Sequence, residues 1–380
     1  MTEGHSRSST LEARAESATL FEPLRVGTLT LPNRVVMAPL GRARADANNR
    51  QPTESVARYY AQRASAGLII SEATHVSPNS VSRPGSPAIH DEGQVAAWWN
   101  VTAAVHAAGG RIFQQLFHLG RKQDPDLLPG KPLPPAPSAI AAKGEFSTAS
   151  GPRQFPVPRA LAEHEIPALI AEFRRAARNA KRAGFNGVEV HGANGFLIDQ
   201  FLRDSANQRT DGYGGSVVNR ARFLLEVVDA VADEVGAGRV GVRLSPHSVS
   251  DGTWDSTPLE TFRYVAEQLR VRNVAYVHLI ESVATPEPKR LAAVLRDAFG
   301  GPLIVCGGFD RASAEEAIRS GRAQLIAFGA GFIANPDLVE RLRISARWNT
   351  PDPSTFYSGG DRGYLDYPPL TTPTPTLGCR

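Results

Sequence analysis

The sequence is poor in cysteine and contains no long hydrophobic run. Only two of the 380 residues are cysteine, Cys306 and Cys379, so we expect neither a disulfide framework nor a metal cluster. No apolar run approaches the ~18–20 residues that cross a bilayer, and the first residues lack the apolar segment of a secretory signal. These absences predict a cytoplasmic protein with no membrane or metal partner.

The sequence also lacks a strong charge of one sign. It has 42 basic and 38 acidic residues, a net charge of +4, and no basic tract interleaved with aromatic residues. A nucleic-acid partner is therefore not expected. With 42% hydrophobic and 21% charged residues, the chain can bury a large core and is not disordered as a whole. We expect a small-molecule partner, and both a monomer and a homodimer stay open.

Short apolar runs alternate with helical patterns along the chain. Strands that are buried on both faces and followed by helices pair in parallel. Eight such units predict an α/β protein, a closed (β/α)8 TIM barrel, whose chemistry lies at the carboxyl ends of the strands. The eight predicted strands are Val35–Leu40, Leu68–Ser71, Arg111–Leu116, Gly187–His191, Val240–Leu244, Val274–Leu279, Leu303–Cys306 and Leu325–Phe328.

Capping signals predict several helix boundaries. Thr53 is expected to begin a helix that runs to Gly67, and Gly184 to end another. Further helices are expected to begin at Thr257–Glu260, at Ser313 with Glu316, and at Asn335–Pro336.

The domain organisation follows from the remaining segments. Residues 1–18 and 371–380 are predicted to be disordered tails, and residues 19–370 a single barrel domain. Phe21–Asn33 is expected to form a β-hairpin that closes the barrel floor. The long, proline-rich segment 118–159 after the third strand is expected to form a lid over the site.

Polar and small residues stand where the predicted strands end. His191 and Asn194 could bind one ligand oxygen, although a capped turn with a core histidine explains the spacing equally well. Arg243 needs an anion or polar acceptor, or a salt bridge inside the barrel, and Gln115 could bind the amide edge of a ring cofactor. Gly307–Gly308 and Gly329–Ala330 fit a phosphate site or tight strand–helix packing.

Six stretches, spanning about residues 20–370 in order, resemble the Old Yellow Enzyme family of flavin-dependent ene-reductases. They are LFEPLRVGTLTLPNRVVMAPL, YYAQRASAGLIISEATHVS, QQLFHLGR, GVEVHGANGFLIDQFL, NQRTDGYGGSVVNRARFLLEVVDAV and FIANPDLVERL. The resemblance implies an FMN-binding (β/α)8 barrel in which NAD(P)H reduces FMN and an α,β-unsaturated carbonyl or nitro compound is the substrate.

The resemblance also implies a role for each matching residue. Pro39, Leu40 and Ala73 would lie along the flavin, Gln115 and Arg243 would bind its pyrimidine edge, and Gly307, Gly308 and Gly329 would bind its phosphate. His191 and Asn194 would polarise the substrate oxygen, and Phe117 would shape the substrate pocket.

Three positions depart from the family pattern. Phe196 replaces the usual tyrosine proton donor, Gly41 replaces a hydroxyl residue that tunes the flavin, and Ala330 replaces a phosphate-binding arginine. Loss of a placed general acid typically costs ~10²–10⁴-fold in rate, and a lost hydrogen bond to a charged group about 1.5–3 kcal/mol. Tyr357 is a candidate substitute for the missing proton donor.

Three functions stay open from the sequence. The first is an FMN enzyme in which loss of the tyrosine shifts the outcome from reduction towards isomerisation. The second is a barrel without FMN that catalyses a non-redox cyclisation or isomerisation in the vacated cleft, with His191 as base or donor. The third is a catalytically silent binding protein.

Overall fold

A computed structural model describes residues 19–148, 151–281 and 286–370. The two tails predicted from the sequence, 1–18 and 371–380, lie outside the described residues, as does Cys379. Within the described ranges, no helix is both long enough and apolar enough to cross a membrane.

The described strands and helices are numbered in chain order. The strands are β1 (Leu24–Val26), β2 (Leu29–Leu31), β3 (Val35–Met37), β4 (Leu68–Ile70), β5 (Thr74–His75), β6 (Ile112–Phe117), β7 (Pro135–Ala136), β8 (Glu145–Thr148), β9 (Gly151–Gln154), β10 (Arg159–Ala160), β11 (Gly187–Gly192), β12 (Val240–Leu244), β13 (Tyr276–Ile280), β14 (Leu303–Cys306) and β15 (Leu325–Phe328). The helices are α1 (Glu54–Ala61), α2 (Glu92–Ala107), α3 (Ile166–Arg182), α4 (Leu197–Leu202), α5 (Val217–Val235), α6 (Pro258–Val271), α7 (Pro286–Phe299), α8 (Arg311–Arg319), α9 (Ala330–Ala334) and α10 (Leu338–Arg343).

Eight parallel strands close into a barrel. Their order around the barrel is β3, β4, β6, β11, β12, β13, β14 and β15, and β15 pairs back with β3 through Ile326 and Val35. β6 and β11 also pair directly, with Phe113 opposite Gly187. The (β/α)8 barrel predicted from the sequence is confirmed, with strand boundaries shifted by up to three residues.

Successive residues of each strand face opposite sides of the barrel wall. On β14, Leu303 and Val305 pack in the large core beneath the helices, whereas Ile304 faces a smaller cluster inside the barrel. Because both faces are buried, the strands are continuously apolar except where a polar group is needed inside.

The predicted hairpin closes the barrel floor. β1 and β2 pair in antiparallel, and their residues Val26 and Leu31 pack into the inner cluster. The turn needs glycine, because Gly27 has φ +54° and an added Cβ would lie 2.0 Å from the carbonyl oxygen of Gly238. Thr28 donates its N–H to that same oxygen at 3.1 Å, which ties the hairpin to the chain before β12.

The helix that begins after Thr53 is shorter than predicted. It ends at Ala61, and residues 62–66 form turns rather than a continuation to Gly67. Arg63 explains the break, because its buried guanidinium donates hydrogen bonds to the carbonyl oxygens of Phe332 and Ile333. These distant contacts outweigh the local helical pattern.

Two predicted helix starts and one predicted cap are also corrected. α8 is capped by Asp310, which accepts the N–H of Ser313 at 2.9 Å, so Ser313 is the third helical residue and not the cap. Asn335 bonds back to the Gly331 carbonyl at 2.8 Å and the next helix begins at Leu338. Thr257 precedes α6 and Pro258 opens it as predicted, but the Thr257 hydroxyl makes no capping bond.

Segment 118–159 carries short structure of its own. β8 and β9 form an antiparallel hairpin, and β7 pairs with β10. The segment is tied to the loop after β12 by Arg121, which bonds the Thr253 hydroxyl at 2.7 Å, and by the Lys143 N–H, which bonds the Asp251 carbonyl at 2.8 Å. Its role as a lid stays a prediction.

Candidate active site

A cleft of about 290 Å³ opens at the carboxyl ends of the barrel strands. Ten of the residues singled out from the sequence line it, although they lie up to about 320 positions apart in the chain. They are Pro39, Gly41, Ala73, Gln115, Phe117, His191, Asn194, Phe196, Arg243 and Tyr357. The barrel therefore brings the predicted polar residues to one mouth.

The other five predicted residues lie beside the cleft and not in its lining. Leu40 follows Pro39, and its Cδ2 lies 3.5 Å from where a Cβ on Gly329 would stand. Gly307 and Gly308 follow β14, and Gly329 and Ala330 follow the neighbouring β15, so both pairs share one rim. Ala330 is exposed, so this rim offers backbone groups but no cationic side chain at that position.

His191 ends the inward face of β11 and is a neutral hydrogen-bonding group. Burial lowers the pKa of His191 well below its usual value, and the nearby cations Arg243 and Lys122 lower it further. Its Nδ1 has no hydrogen-bond partner within the described residues. A neutral imidazole with a free nitrogen can bind a substrate oxygen in the cleft.

Asn194 lies in a loop that is fixed by its backbone. The residue has φ +58°, a conformation that asparagine tolerates better than most residues, and its N–H donates to the Ser245 hydroxyl at 2.8 Å. The next N–H, of Gly195, donates to Asp199 at 2.8 Å. Asp199 is paired with the buried Arg203, so the loop that presents Asn194 is held to the protein by charge-assisted bonds.

Phe196 presents an aromatic ring at the position where the sequence resemblance predicts a tyrosine. The ring packs edge-to-face against His191 at 5.1 Å and against Phe117 at 5.3 Å between centroids. The Lys122 ammonium lies 4.7 Å from the ring centroid and is paired with Asp251. A hydrocarbon ring has no exchangeable proton, so Phe196 shapes the cleft and cannot protonate a substrate.

Gln115 and Arg243 form the polar floor of the cleft. Both side chains are almost completely buried, and the Arg243 Nε has no hydrogen-bond partner within the described residues. Gln115 donates from Nε2 to Glu189 at 2.7 Å. A buried guanidinium with an unused donor needs an acceptor from a bound molecule, and the pyrimidine edge of a flavin supplies such acceptors.

Gly41 leaves open space beside the floor. A Cβ added there would meet no other atom within 4 Å. The fold therefore tolerates a larger residue at this position, and the absence of a hydroxyl is a property of the sequence and not a steric requirement.

Tyr357 lies at the mouth of the cleft, where it is half exposed. The Arg83 guanidinium stacks on its ring at 4.0 Å. The loop that carries it is clamped by Arg44, which donates to the carbonyl oxygens of Phe356 at 2.8 Å and Thr355 at 2.7 Å. Tyr357 is the tyrosine of the cleft lining.

Sequence reasoning missed several lining residues, of which Glu72 has the strongest chemistry. They are Ala43, Glu72, Ser82, Arg83 and Ser86. Glu72 follows β4 after one intervening residue, Ser71, so its place just beyond a strand end was the available signal. Its Oε2 accepts the N–H groups of Arg42 at 2.9 Å and Ala43 at 3.3 Å, and burial raises the pKa of Glu72 to about 7.

Within the described residues, no cluster of three or more histidine, cysteine, aspartate or glutamate side chains could hold a metal ion.

The comparison with protein families decides the assignment. Residues 19–347 match the model of the NADH:flavin oxidoreductase / NADH oxidase family. The chain belongs to this family. It is an enzyme of the Old Yellow Enzyme type, an FMN-dependent oxidoreductase with NAD(P)H as reductant.

Individual relatives cover nearly the whole chain. A probable flavin mononucleotide-dependent alkene reductase of Leishmania infantum is 42% identical over 92% of this chain and 97% of its own. The 12-oxophytodienoate reductase 1 of Oryza sativa subsp. japonica is 43% identical over 94% of each. Among solved structures, morphinone reductase in complex with tetrahydroNAD is 47% identical, with a TM-score of 0.89 over 93% of this chain and 98% of that chain. Together they indicate ene-reductase activity on alkenes and enones.

Proposed function

We propose that this protein reduces α,β-unsaturated carbonyl compounds with an outcome altered by Phe196, so that slow protonation lets isomerisation compete with net reduction. The observation that supports the proposal is the convergence of Gln115, His191, Asn194 and Arg243 on one cleft that lacks a tyrosine at position 196.

The residues present fit FMN. Gln115 and Arg243 offer buried donors to the pyrimidine edge, Pro39 and Ala73 line the wall, and Gly308 and Gly329 lie on the rim where a phosphate would be bound. When bound, FMN accepts a hydride from NAD(P)H and passes it to the β-carbon of the substrate. Because Gln115 and Arg243 are both present on the floor of the cleft, the alternative of a barrel without FMN has no support there.

His191 and Asn194 orient the substrate. A carbonyl oxygen bound by an N–H from each side chain is polarised, and the negative charge that develops on this oxygen is stabilised where water is excluded. Because His191 is neutral, it acts as a hydrogen-bond donor and adds no full positive charge to the site.

The reaction is complete only when the α-carbon receives a proton. Phe196 cannot supply it, so we propose that water or Tyr357 at the cleft mouth does. The balanced reaction consumes one NAD(P)H and one proton for each alkene reduced. Where the proton arrives slowly, the intermediate can rotate about the former double bond. Loss of the same hydride from the β-carbon, which reverses its transfer, then returns the isomerised alkene.

The test begins with the purified protein. We expect absorbance bands between 350 and 500 nm from one bound FMN per chain, and NAD(P)H oxidation driven by 2-cyclohexenone. Under anaerobic conditions, a Z-configured enone should yield its E isomer together with the saturated ketone. A colourless protein that does not take up added FMN would overturn the proposal, and a saturated product without isomer would overturn its second half.

A further inference from the structure

A fully buried carboxylate lies inside the barrel beneath the cleft. Glu189 is two residues before His191 on β11, so both side chains face inward. Its Oε1 accepts Gln115 Nε2 at 2.7 Å, and its Oε2 accepts the Tyr276 hydroxyl at 3.1 Å and His278 Nδ1 at 2.9 Å. Three donors from β6 and β13 thus converge on one carboxylate.

The packing around this carboxylate keeps it out of contact with bulk solvent. Tyr276 reaches Glu189 because its ring lies over Gly241, where an added Cβ would stand only 2.1 Å from the tyrosine Cζ. Glu189 and His278 are both 0% exposed. A charge in such a place has effects that solvent does not screen.

The surroundings of Glu189 favour its ionised form in spite of its burial. Burial alone raises the pKa of Glu189, but the hydrogen bonds from His278 and Gln115 and the charge of Arg243 oppose this effect, and the pKa lies below the ordinary value. Burial lowers the pKa of His278, so the imidazole is neutral and donates its Nδ1–H. Arg243 is therefore the cation that faces this anion.

The carboxylate fixes the amide of Gln115. An ionised carboxylate can only accept hydrogen bonds, so the nitrogen end of the Gln115 amide has to face it. The Gln115 oxygen is then free to accept a hydrogen bond from a molecule on the cleft floor. Glu189 therefore sets the orientation of the Gln115 amide.

The same carboxylate offsets the charge of Arg243. β11 and β12 are neighbouring strands, and His191 on β11 pairs with Arg243 on β12. The charges of Glu189 and Arg243 interact through the barrel interior. Cys306 also bonds with Arg243, and it is neutral because burial raises the pKa of its thiol. Glu189 therefore reduces the positive potential that Arg243 presents at the floor of the cleft.

We propose that Glu189 is a positioning residue for the flavin, which orients Gln115 and weakens the field of Arg243 and so keeps the reduction potential of bound FMN low. The inference rests on the proposed placement of the pyrimidine edge against Gln115 and Arg243. Reduced flavin carries more negative charge than oxidised flavin, so the anion beneath it disfavours the reduced state.

The experiment measures the midpoint potential of bound FMN in the holoenzyme. In Glu189→Gln, which keeps the size and loses the charge, we expect reduced FMN to gain about 10-fold in affinity relative to oxidised FMN, which corresponds to about +30 mV for a two-electron couple. Glu189→Asp keeps the charge but withdraws the carboxylate from Gln115. We expect it to leave the potential unchanged and to weaken both redox forms of FMN equally.

Tyr276→Phe is the matched control, because it removes one donor but neither the charge nor the contact with Gln115. Its potential should stay at the wild-type value. An unchanged potential in Glu189→Gln would overturn the inference. If that variant does not fold, unchanged FMN affinity in Glu189→Asp overturns the positioning of Gln115. The yellow colour and enone reduction of the wild type report the proposed function separately.

Discussion

At the scale of single residues, the cleft places two side chains with polar nitrogens, His191 and Asn194, beside a phenylalanine that has no exchangeable proton. In the proposed function, His191 and Asn194 hold the substrate oxygen, and Phe196 stands where the sequence resemblance predicts a proton-donating tyrosine. Binding and proton supply are therefore separable in this protein, and a single side chain should restore the second without changing the first.

Phe196→Tyr should accelerate the reoxidation of reduced enzyme by 2-cyclohexenone by about 10²-fold, because a placed general acid contributes at least that much. The fraction of isomerised alkene should fall in parallel. Stopped-flow absorbance of the flavin and product analysis check both effects.

The control for this substitution is Phe196→Leu, which alters the ring contacts with His191 and Phe117 but adds no proton. It should not accelerate reoxidation. Equal rates in the tyrosine variant and the wild type would show that position 196 is not the site of proton delivery.

Glu72 should make the stability of the protein depend on pH. Its folded-state pKa of about 7 lies above the ordinary value of 4.5, so the folded state binds more protons than the unfolded state between these pH values. The contribution of Glu72 to the free energy of unfolding is complete below about pH 4.5. It is lost as the pH rises to about 7, which lowers the free energy of unfolding by up to about 3 kcal/mol. Urea unfolding of the holoenzyme at pH 5 and pH 8 measures this loss.

Glu72→Gln isolates the contribution of this carboxyl, because every other titrating group is common to both proteins. The variant should lose less stability than the wild type between pH 5 and pH 8. Identical losses in the two proteins would contradict the assignment of the raised pKa to Glu72.

At the scale of elements, the barrel separates stability from chemistry along its axis. The β1–β2 hairpin fills the floor with Val26 and Leu31, whereas the cleft lies at the carboxyl ends of the strands. Changes in the hairpin should therefore affect unfolding without affecting the flavin environment.

Leu31→Ala should lower the free energy of unfolding by about 2–5 kcal/mol, since the side chain is almost completely buried and leaves a cavity. The visible spectrum of bound FMN should not change. Thr30→Ala on the exposed face of β2 should stay within about 0.5 kcal/mol of the wild type. A shifted flavin spectrum in Leu31→Ala would show that the hairpin at the barrel floor is coupled to the cleft.

Local patterns predicted the elements well and their ends less well. The eight strands were found because burial on both faces gives short apolar runs, and the site residues because they follow those runs. Ser313 is not the cap because Asp310 caps the helix three residues earlier. The helix after Thr53 is shorter than predicted because Arg63 bonds to carbonyl oxygens of α9, about 270 positions away.

The missed charged residues have a common reason. Glu72 and Glu189 lie at or inside the carboxyl ends of strands, but a single carboxylate in an apolar run gives no sign of its partners. The alternation on β11 places Glu189 on the same face as His191, which was the available signal. Its three donors come from β6 and β13, and such contacts are visible only in the folded barrel.

At the scale of the whole molecule, FMN binding and folding should be linked. A ligand that binds only the folded state stabilises it, by about 2.7 kcal/mol when its free concentration is 100 times Kd. Urea midpoints of the protein should therefore rise with added FMN. A midpoint that does not respond to FMN would contradict binding to the native fold.

Ala330→Arg should increase this response, because an arginine on the exposed rim can reach the phosphate and contribute about 1.5–3 kcal/mol, or about 10–100-fold in affinity. Ala330→Met, which is long but uncharged, should not. Fluorescence titration of FMN into the apoprotein measures both affinities.

Closure of the barrel joins its first strand to its last, through Val35 and Ile326. During synthesis the ribosome has to deliver nearly 300 further residues before that seam can form. The cleft therefore matures only late, since Arg243 and Tyr357 are also made after the first half of the chain. Nascent chains should therefore expose unpaired strand edges for many seconds, and aggregation during synthesis competes with closure of this seam.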